Sequence, residues 1–323
     1  MCGWIYEPKW DGFRCLAFRD GGNVELRSKS GKPLGRYFPD VVDAVLQLGP
    51  ERFVLDGEVV IPAGDALSFD DLLMRIHPAA SRVKKLAASH PATFIAFDLL
   101  VDDQGRDLTG EPLIERRRAL DDFGAGHVDG IDRVSVSPFT DSLKKARKWL
   151  VAGRGGLDGV MAKRAELPYQ AGNRNGMVKV KRLRTAECVV GGFRWAKSGK
   201  QIGSLLLGLY GEDGFLHHVG FCSAFNAATR KEATALVTPL KGGEGFTGRA
   251  PQTKSRWRKE GSGEWEPVKP ELVVELQYDH FTGGRFRHGT RFLRWRPDKP
   301  PEACSMEQVE REGASALRLI ESR

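Results

Sequence analysis

A mixed α/β domain followed by an all-β barrel of the OB type is the architecture this sequence predicts, on three observations. Through the first half, short apolar runs alternate with amphipathic helical patterns. After about Leu183, five short strand runs stand between Gly-rich turns, and one helical pattern is set after the third of them.

The first-half strands fall at 4–6, 15–18, 24–26, 53–61, 93–101, 133–137, 159–163 and 177–181, each a short apolar run. Helical periodicity covers 39–48, 68–86, 112–123 and 142–151. The irregular spacing, and the lack of a Gly-rich dinucleotide loop after the first strand, exclude a doubly wound sheet. In the second half the strands fall at 186–193, 204–210, 215–221, 272–278 and 292–296, with the helix at 227–237. The basic tract 179–184 is the expected hinge, giving domains 1–184 and 185–323. The polar stretch 242–266 is a long connection, read either as a surface loop or as a binding segment. The chain has no internal repeat.

With 323 residues, 41% of them hydrophobic, the chain can bury the cores of two domains. No apolar run has the length of a membrane span and the N-terminus lacks the pattern of a secretory signal, so a cytoplasmic location is expected. Five cysteines, scattered singly, suggest neither a disulfide framework nor a zinc knuckle. His217 and His218, as neighbours on a strand, point to opposite faces and do not chelate one ion together. The 50 basic against 42 acidic residues give +8, which favours a polyanionic partner.

The stretch Glu7-Pro8-Lys9-Trp10-Asp11-Gly12-Phe13-Arg14 holds one lysine between strand-like segments, beside a strong turn signal. An amine is a nucleophile only when neutral, so a catalytic Lys9 needs nearby cations or desolvation; Arg14, Lys179 and Lys181 supply the cations. Taken alone, the same stretch also describes a hairpin with a solvated lysine at its turn. Lys179 and Lys181 share one face of a strand, either a solvated face or a clamp for phosphate. Glu58 in Asp56-Gly57-Glu58 ends an apolar run and needs a partner if buried. Phe97, in an apolar strand, reads as core.

Six stretches in order carry a resemblance: Lys9-Trp10-Asp11-Gly12, Ser28-Lys29-Ser30-Gly31, Asp56-Gly57-Glu58, residues 94–100, Asp158-Gly159-Val160-Met161-Ala162-Lys163, and Val178-Lys179-Val180-Lys181, closed by Arg296-Pro297-Asp298-Lys299. The set resembles the nucleotidyltransferase superfamily of ATP-dependent DNA ligases over nearly the whole chain, and most closely the small bacterial C-type ligases. The resemblance implies an α+β nucleotidyltransferase (ATP-grasp-like) adenylation domain followed by an all-β OB-fold barrel domain. It implies that Lys9 carries AMP, that Glu7 approaches adenine, and that Arg14 contacts ribose and phosphate. Phe97 would stack on adenine, Glu58 would contact ribose or metal, and Asp158 would help hold Mg²⁺ or Mn²⁺ although the family carries glutamate there. Lys179 and Lys181 would neutralise the triphosphate, Arg296 and Lys299 would orient the pyrophosphate during lysine adenylylation, and Arg27, Lys29 and Arg174 would contact DNA. Lys29 replaces the family's usual arginine, leaving a point charge in place of a bidentate fork.

The activity implied is sealing of nicks in duplex DNA through a lysyl-AMP and a DNA-adenylate, in repair, by a monomer acting with a primase-polymerase. Only a few residues precede Trp4, and with no separate N-terminal DNA-binding module the two domains are expected to clamp the nick by closing about the hinge. An RNA ligase or capping-type guanylyltransferase shares the lysine chemistry, and a basic OB-fold binding protein is the non-enzymatic alternative.

Overall fold

The computed structural model describes residues 3–64, 66–152, 157–173, 175–197, 199–251, 264–309 and 317–321. The chain divides into two compact units, Met1–Arg182 with Glu312–Arg323, and Leu183–Arg311; the last residues group with the first unit.

In chain order the first unit contains β1 (Trp4–Trp10), β2 (Phe13–Asp20), β3 (Asn23–Ser28), α1 (Pro39–Leu46), β4 (Arg52–Val60), the two-residue strands β5 (Pro62–Ala63) and β6 (Ala66–Leu67), α2 (Phe69–Arg75), α3 (Ala80–Ser89), β7 (Thr93–Val101), α4 (Leu113–His127), β8 (Val134–Val136), α5 (Leu143–Ala152), β9 (Leu157–Arg164) and β10 (Met177–Val180). The helical pattern over 68–86 is two helices. Ser68 caps the first through Asp71 N (3.2 Å), and Pro78, which lacks an N–H and restricts the residue before it, separates them.

One sheet has five strands in the order β3-β2-β4-β7-β8, antiparallel except where β7 meets β8. Its apolar face and the helices α1 and α4 bury Phe53, Leu55, Phe94, Val41, Val45, Leu120 and Phe123. The other sheet has three strands, β1-β9-β10, both pairs antiparallel. Between the two sheets Trp10, Val60, Ile95 and Val160 pack with Trp149 of α5, sealed by Leu319 and Ile320 of α7 (Arg318–Glu321).

Asp11-Gly12 therefore does not close a hairpin. The chain leaves one sheet after Trp10 and enters the other at Phe13, so Lys9 lies inside a strand and not in a turn. A side chain at Gly12 would collide with the carbonyl of Val59 and the Glu58 stem, which is why this crossing takes glycine.

The second unit contains β11 (Arg184–Trp195), β12 (Ile202–Tyr210), β13 (Leu216–Cys222), α6 (Ala227–Val237), β14 (Glu266–Pro267), β15 (Val273–Tyr278), β16 (Phe281–Thr282), β17 (Arg285–Phe286) and β18 (Arg291–Trp295). Asn226 caps α6 by accepting from Thr229 N (2.8 Å). The main sheet runs β13-β12-β11-β15-β18, with β14 also on β11, around a core of Val189, Leu207, Val219, Val274 and Leu276. The strand order and the helix after the third long strand are those of an OB-type domain. The expected closed barrel is not formed. Among the described residues the outer strands meet only at a parallel bridge, Cys222 to Thr290.

Two ion pairs of the first unit should respond very differently to truncation. Arg75, with no exposed side chain, donates to both oxygens of Asp40 (2.5 and 3.2 Å), and Asp40 also accepts from Ala92 N. Asp40→Ala should lower the unfolding free energy by about 3–5 kcal/mol. Asp20→Ala, which frees Arg52 at the surface, should cost less than about 1 kcal/mol. Denaturant midpoints of the two variants check both.

Candidate active site

A cavity of about 410 Å³ opens in the first unit, lined by Glu7, Lys9, Arg14, Glu58 and Phe97 among others. Four strands from two sheets position these side chains: Glu7 and Lys9 on β1, Arg14 on β2, Glu58 on β4 and Phe97 on β7. Glu7 and Lys9 share a face of β1 by the period of two.

Lys9 stands opposite Gly159 of β9, immediately before a bulge at Lys9/Trp10. Its ammonium is ion-paired with Asp158, whose other oxygen takes Lys181 at 3.0 Å. Asp158 is 8% exposed, so one nearly buried carboxylate holds two ammonium groups. Gly159 has φ +142°, and a side chain there would meet the backbone of Val180. The glycine thus lets β10 run close enough for Lys181 to reach Asp158.

Arg14 grips Asp56, itself fully buried, through Nε (3.1 Å) and Nη2 (2.6 Å), and Tyr169 Oη donates to the same carboxylate at 3.0 Å. Burial, followed by the Asp56 charge, pushes the Tyr169 phenol up to about 12, so it stays a donor. The Arg14 guanidinium lies 5.9 Å from the Phe97 ring centroid.

Glu7 is 2% exposed. One of its oxygens accepts from Lys163 Nζ at 2.6 Å, while Oε1 has no hydrogen-bond partner among the described residues and Arg117 Nε lies 4.0 Å from it. Lys163 also sits 4.8 Å from the Phe97 ring centroid. Behind this wall, α4 sends two arginines into the sheet. Arg117 donates to the carbonyls of Phe97 (2.8 Å) and Ser137 (2.7 Å), and Arg116 forms a fork with Asp98 (2.9 and 2.9 Å).

Burial, opposed by Lys9, pushes the Glu58 carboxyl up to about 8. Glu58 and Asp158 are the carboxylates available to a divalent ion. Among the described residues no group of three or more His, Cys, Asp or Glu side chains could hold a metal by itself. That donor set suits a cation that arrives with phosphate oxygens and keeps most of its waters, as Mg²⁺ does.

Of the other residues singled out from sequence, Lys29 and Lys179 line the cavity, whereas Lys181 is linked to Lys9 through the Asp158 carboxylate they share. Arg27 is turned to Glu25 on its own strand (2.8 and 2.9 Å), and Arg174 lies outside the described residues. Arg296 and Lys299 belong to the second unit, where Arg296 pairs with Asp298 (2.8 Å) and with Glu187, and Lys299 pairs with Glu187 at 2.7 Å. Sequence reading gave no role to Lys163, Asp56 or Tyr169. Lys163 had a signal, since 159, 161 and 163 fall on one face of β9 and Met161 registers with Glu7. Tyr169 had none, because residues 165–176 follow no period.

A lysine on a strand at the crossing of two sheets, with an OB-type unit following, defines a nucleotidyltransferase core of the ligase kind. Residues 2–181 match the model of the ATP dependent DNA ligase domain and residues 198–299 that of the ATP dependent DNA ligase C terminal region, so the chain belongs to the ATP-dependent DNA ligase family. It is 47% identical over 323 residues to DNA ligase C of Mycobacterium tuberculosis (strain ATCC 25618 / H37Rv), spanning 95% of this chain and 89% of that protein. The multifunctional non-homologous end joining DNA repair protein LigD of the same strain is 32% identical over 305 residues, 92% of this chain and 37% of LigD. A solved structure from a structure-function analysis of Lig E DNA ligases shares the fold, with TM-score 0.55 and 19% identity over 91% of this chain and 93% of that one. No helix among the described residues is long and apolar enough to cross a membrane.

Folded Glu58 keeps its proton up to about pH 8, whereas the unfolded carboxyl gives it up near 4.5. The folded state therefore binds the extra proton between those values, so stability falls as pH rises from 4.5 to about 8 and then levels off. Glu58→Gln removes this titration. Its stability gain over the native protein should be absent below pH 4.5 and complete above pH 8, as read by denaturant unfolding across pH.

Proposed function

We propose that this chain seals nicks in duplex DNA in three transfers. The neutral amine of Lys9 attacks the α-phosphate of ATP, an N–P bond forms as the bond to pyrophosphate breaks, and the nitrogen, cationic once bonded to phosphorus, gives up one of its two protons. AMP then passes from Lys9 to the 5′-phosphate of the nick. Finally the 3′-hydroxyl attacks that phosphate and AMP leaves.

The observation that carries this reading is the cavity in which Lys9 stands beside an unsatisfied, nearly buried Glu7 oxygen and the Phe97 ring. A buried carboxylate oxygen needs a donor. The exocyclic amine of adenine is one, whereas guanine presents a carbonyl at the same position and would be repelled. The Phe97 face is the stacking surface for the base, and Lys163 holds the second Glu7 oxygen.

Arg14 is held by Asp56 and Tyr169 in one orientation, ready for ribose and phosphate. Lys179 and Lys181 neutralise the polyphosphate. Mg²⁺ or Mn²⁺, held by Glu58 and Asp158 with phosphate oxygens and water, would supply further charge neutralisation. In the structure Asp158 holds Lys9 as an ion pair, so the amine becomes a nucleophile only after that carboxylate has turned to another cation; Lys181 is already on it.

We take 1–184 as the adenylation domain and 185–323 as the OB domain, apart from the last residues, which group with the first unit, and the two close on the nick about the tract 179–184. Arg296 and Lys299 serve the first transfer, and Arg27, Lys29 and Arg174 serve DNA. The repair protein among the relatives supports a repair role. A monomer in the bacterial cytosol, acting beside a primase-polymerase, completes the reading by kinship with C-type ligases.

Label transfer tests it. Protein incubated with α-labelled ATP should retain label, and Lys9→Ala should retain none and should seal no nick; sealing by Lys9→Ala would overturn the reading. GTP and NAD should not replace ATP, and Glu7→Gln should narrow the preference for ATP over GTP. Arg296→Ala and Lys299→Ala should fail at self-adenylylation yet seal pre-adenylylated nicks.

A further inference from the structure

Two of the basic residues of the last motif are held by a carboxylate that no motif contains. Glu187 lies on β11, and its two oxygens take different cations: Oε1 takes Arg296 Nη1, and Oε2 takes Lys299 Nζ at 2.7 Å. The remaining edge of Arg296 is forked onto Asp298, with Nε at 2.9 Å and Nη2 at 2.8 Å, and Glu275 stands 3.7 Å from Nη1.

The sheet builds this arrangement. Glu187 and Glu275 face each other directly across the β11–β15 ladder, and like charges in that register repel unless a cation lies between them. Arg296 supplies one, and Arg294 pairs with Glu275 at 2.6 Å. Gln308 fixes the backbone of Glu187 from both sides, accepting from its N–H and donating to its carbonyl, each at 2.9 Å.

We propose that Glu187 is a holding residue, which keeps Arg296 and Lys299 stowed on the OB sheet until a polyphosphate displaces it. The inference rests on the reading that these two cations serve the first transfer. Docking of pyrophosphate oxygens on Arg296 and Lys299 is then an exchange of one anion for another. Only the fraction of molecules with both cations released is competent, and the apparent affinity for ATP is reduced by that fraction. Once the pyrophosphate has gone, the same carboxylate recaptures the pair and withdraws them from the site before DNA is engaged.

The test is the ATP dependence of self-adenylylation in full-length native, Glu187→Gln and Glu187→Ala proteins, with folding checked by thermal melting. Both variants should lower KM for ATP by about three- to tenfold, while sealing of a pre-adenylylated nick stays within about twofold of native. The two substitutions are independent, so either one that folds decides the matter. An unchanged or raised KM overturns the proposal, since Glu187 would then be inert or would present the cations. Native protein that takes no label would instead defeat the ligase reading, and Arg296→Ala with a native KM would defeat the assignment of Arg296 alone.

Discussion

The arrangement of the first unit depends on the Asp158 carboxylate and the two ammonium groups it holds. Removing three charges from most of their water is costly, and only their mutual attraction in a region of reduced dielectric offsets it. That attraction requires β1, β9 and the end of β10 to lie side by side, because Lys9, Asp158 and Lys181 come one from each. Gly159 is the backbone condition for it, and Gly12 is the condition for the second sheet to approach. The motifs of this chain are therefore as much rules for bringing backbones together as lists of reactive groups.

A second layer fixes what the first presents. Arg117 ties Phe97 of β7 to Ser137 through their carbonyls, and Arg116 ties Asp98 to α4, so the strand that carries the aromatic face is bound to the helix behind it. These arginines are buried, Arg117 completely; Arg116 is held by Asp98 and the Glu111 carbonyl, while Arg117 keeps one donor, Nε, without a hydrogen-bond partner among the described residues. Their neighbour Arg118 is exposed and merely pairs with Glu115. A run of three arginines on one helix thus serves two functions, set by which face of the helix each occupies.

Much of the architecture is legible in the sequence because burial writes a period into it. The run 93–101 and the helix 227–237 coincide with β7 and α6, since long apolar or amphipathic patterns leave little choice. The pattern over 68–86 misled, because periodicity continues across Pro78 while the backbone cannot. Closure of the barrel was not legible, since it depends on pairing between β13 and β18, which lie far apart in the chain and carry no pattern that announces their register. At the site, Glu7, Lys9, Arg14, Glu58 and Phe97 were marked by the motifs that carry the family resemblance, and the structure gathers them around one cavity. The grip of Tyr169 and Arg14 on Asp56 was not, because it joins residues separated by 113 and 42 positions and follows no period. Glu187 gave no sign for the same reason: it lies 109 residues from Arg296.

The bulge at Lys9/Trp10 has a dynamic consequence. Lys9 registers with Gly159, so the amine and the carboxylate that grips it belong to adjacent rungs of a single antiparallel ladder. Breathing of the sheet carries both together. Freeing the amine therefore asks only that the Asp158 side chain turn, with the ladder that carries both groups left paired.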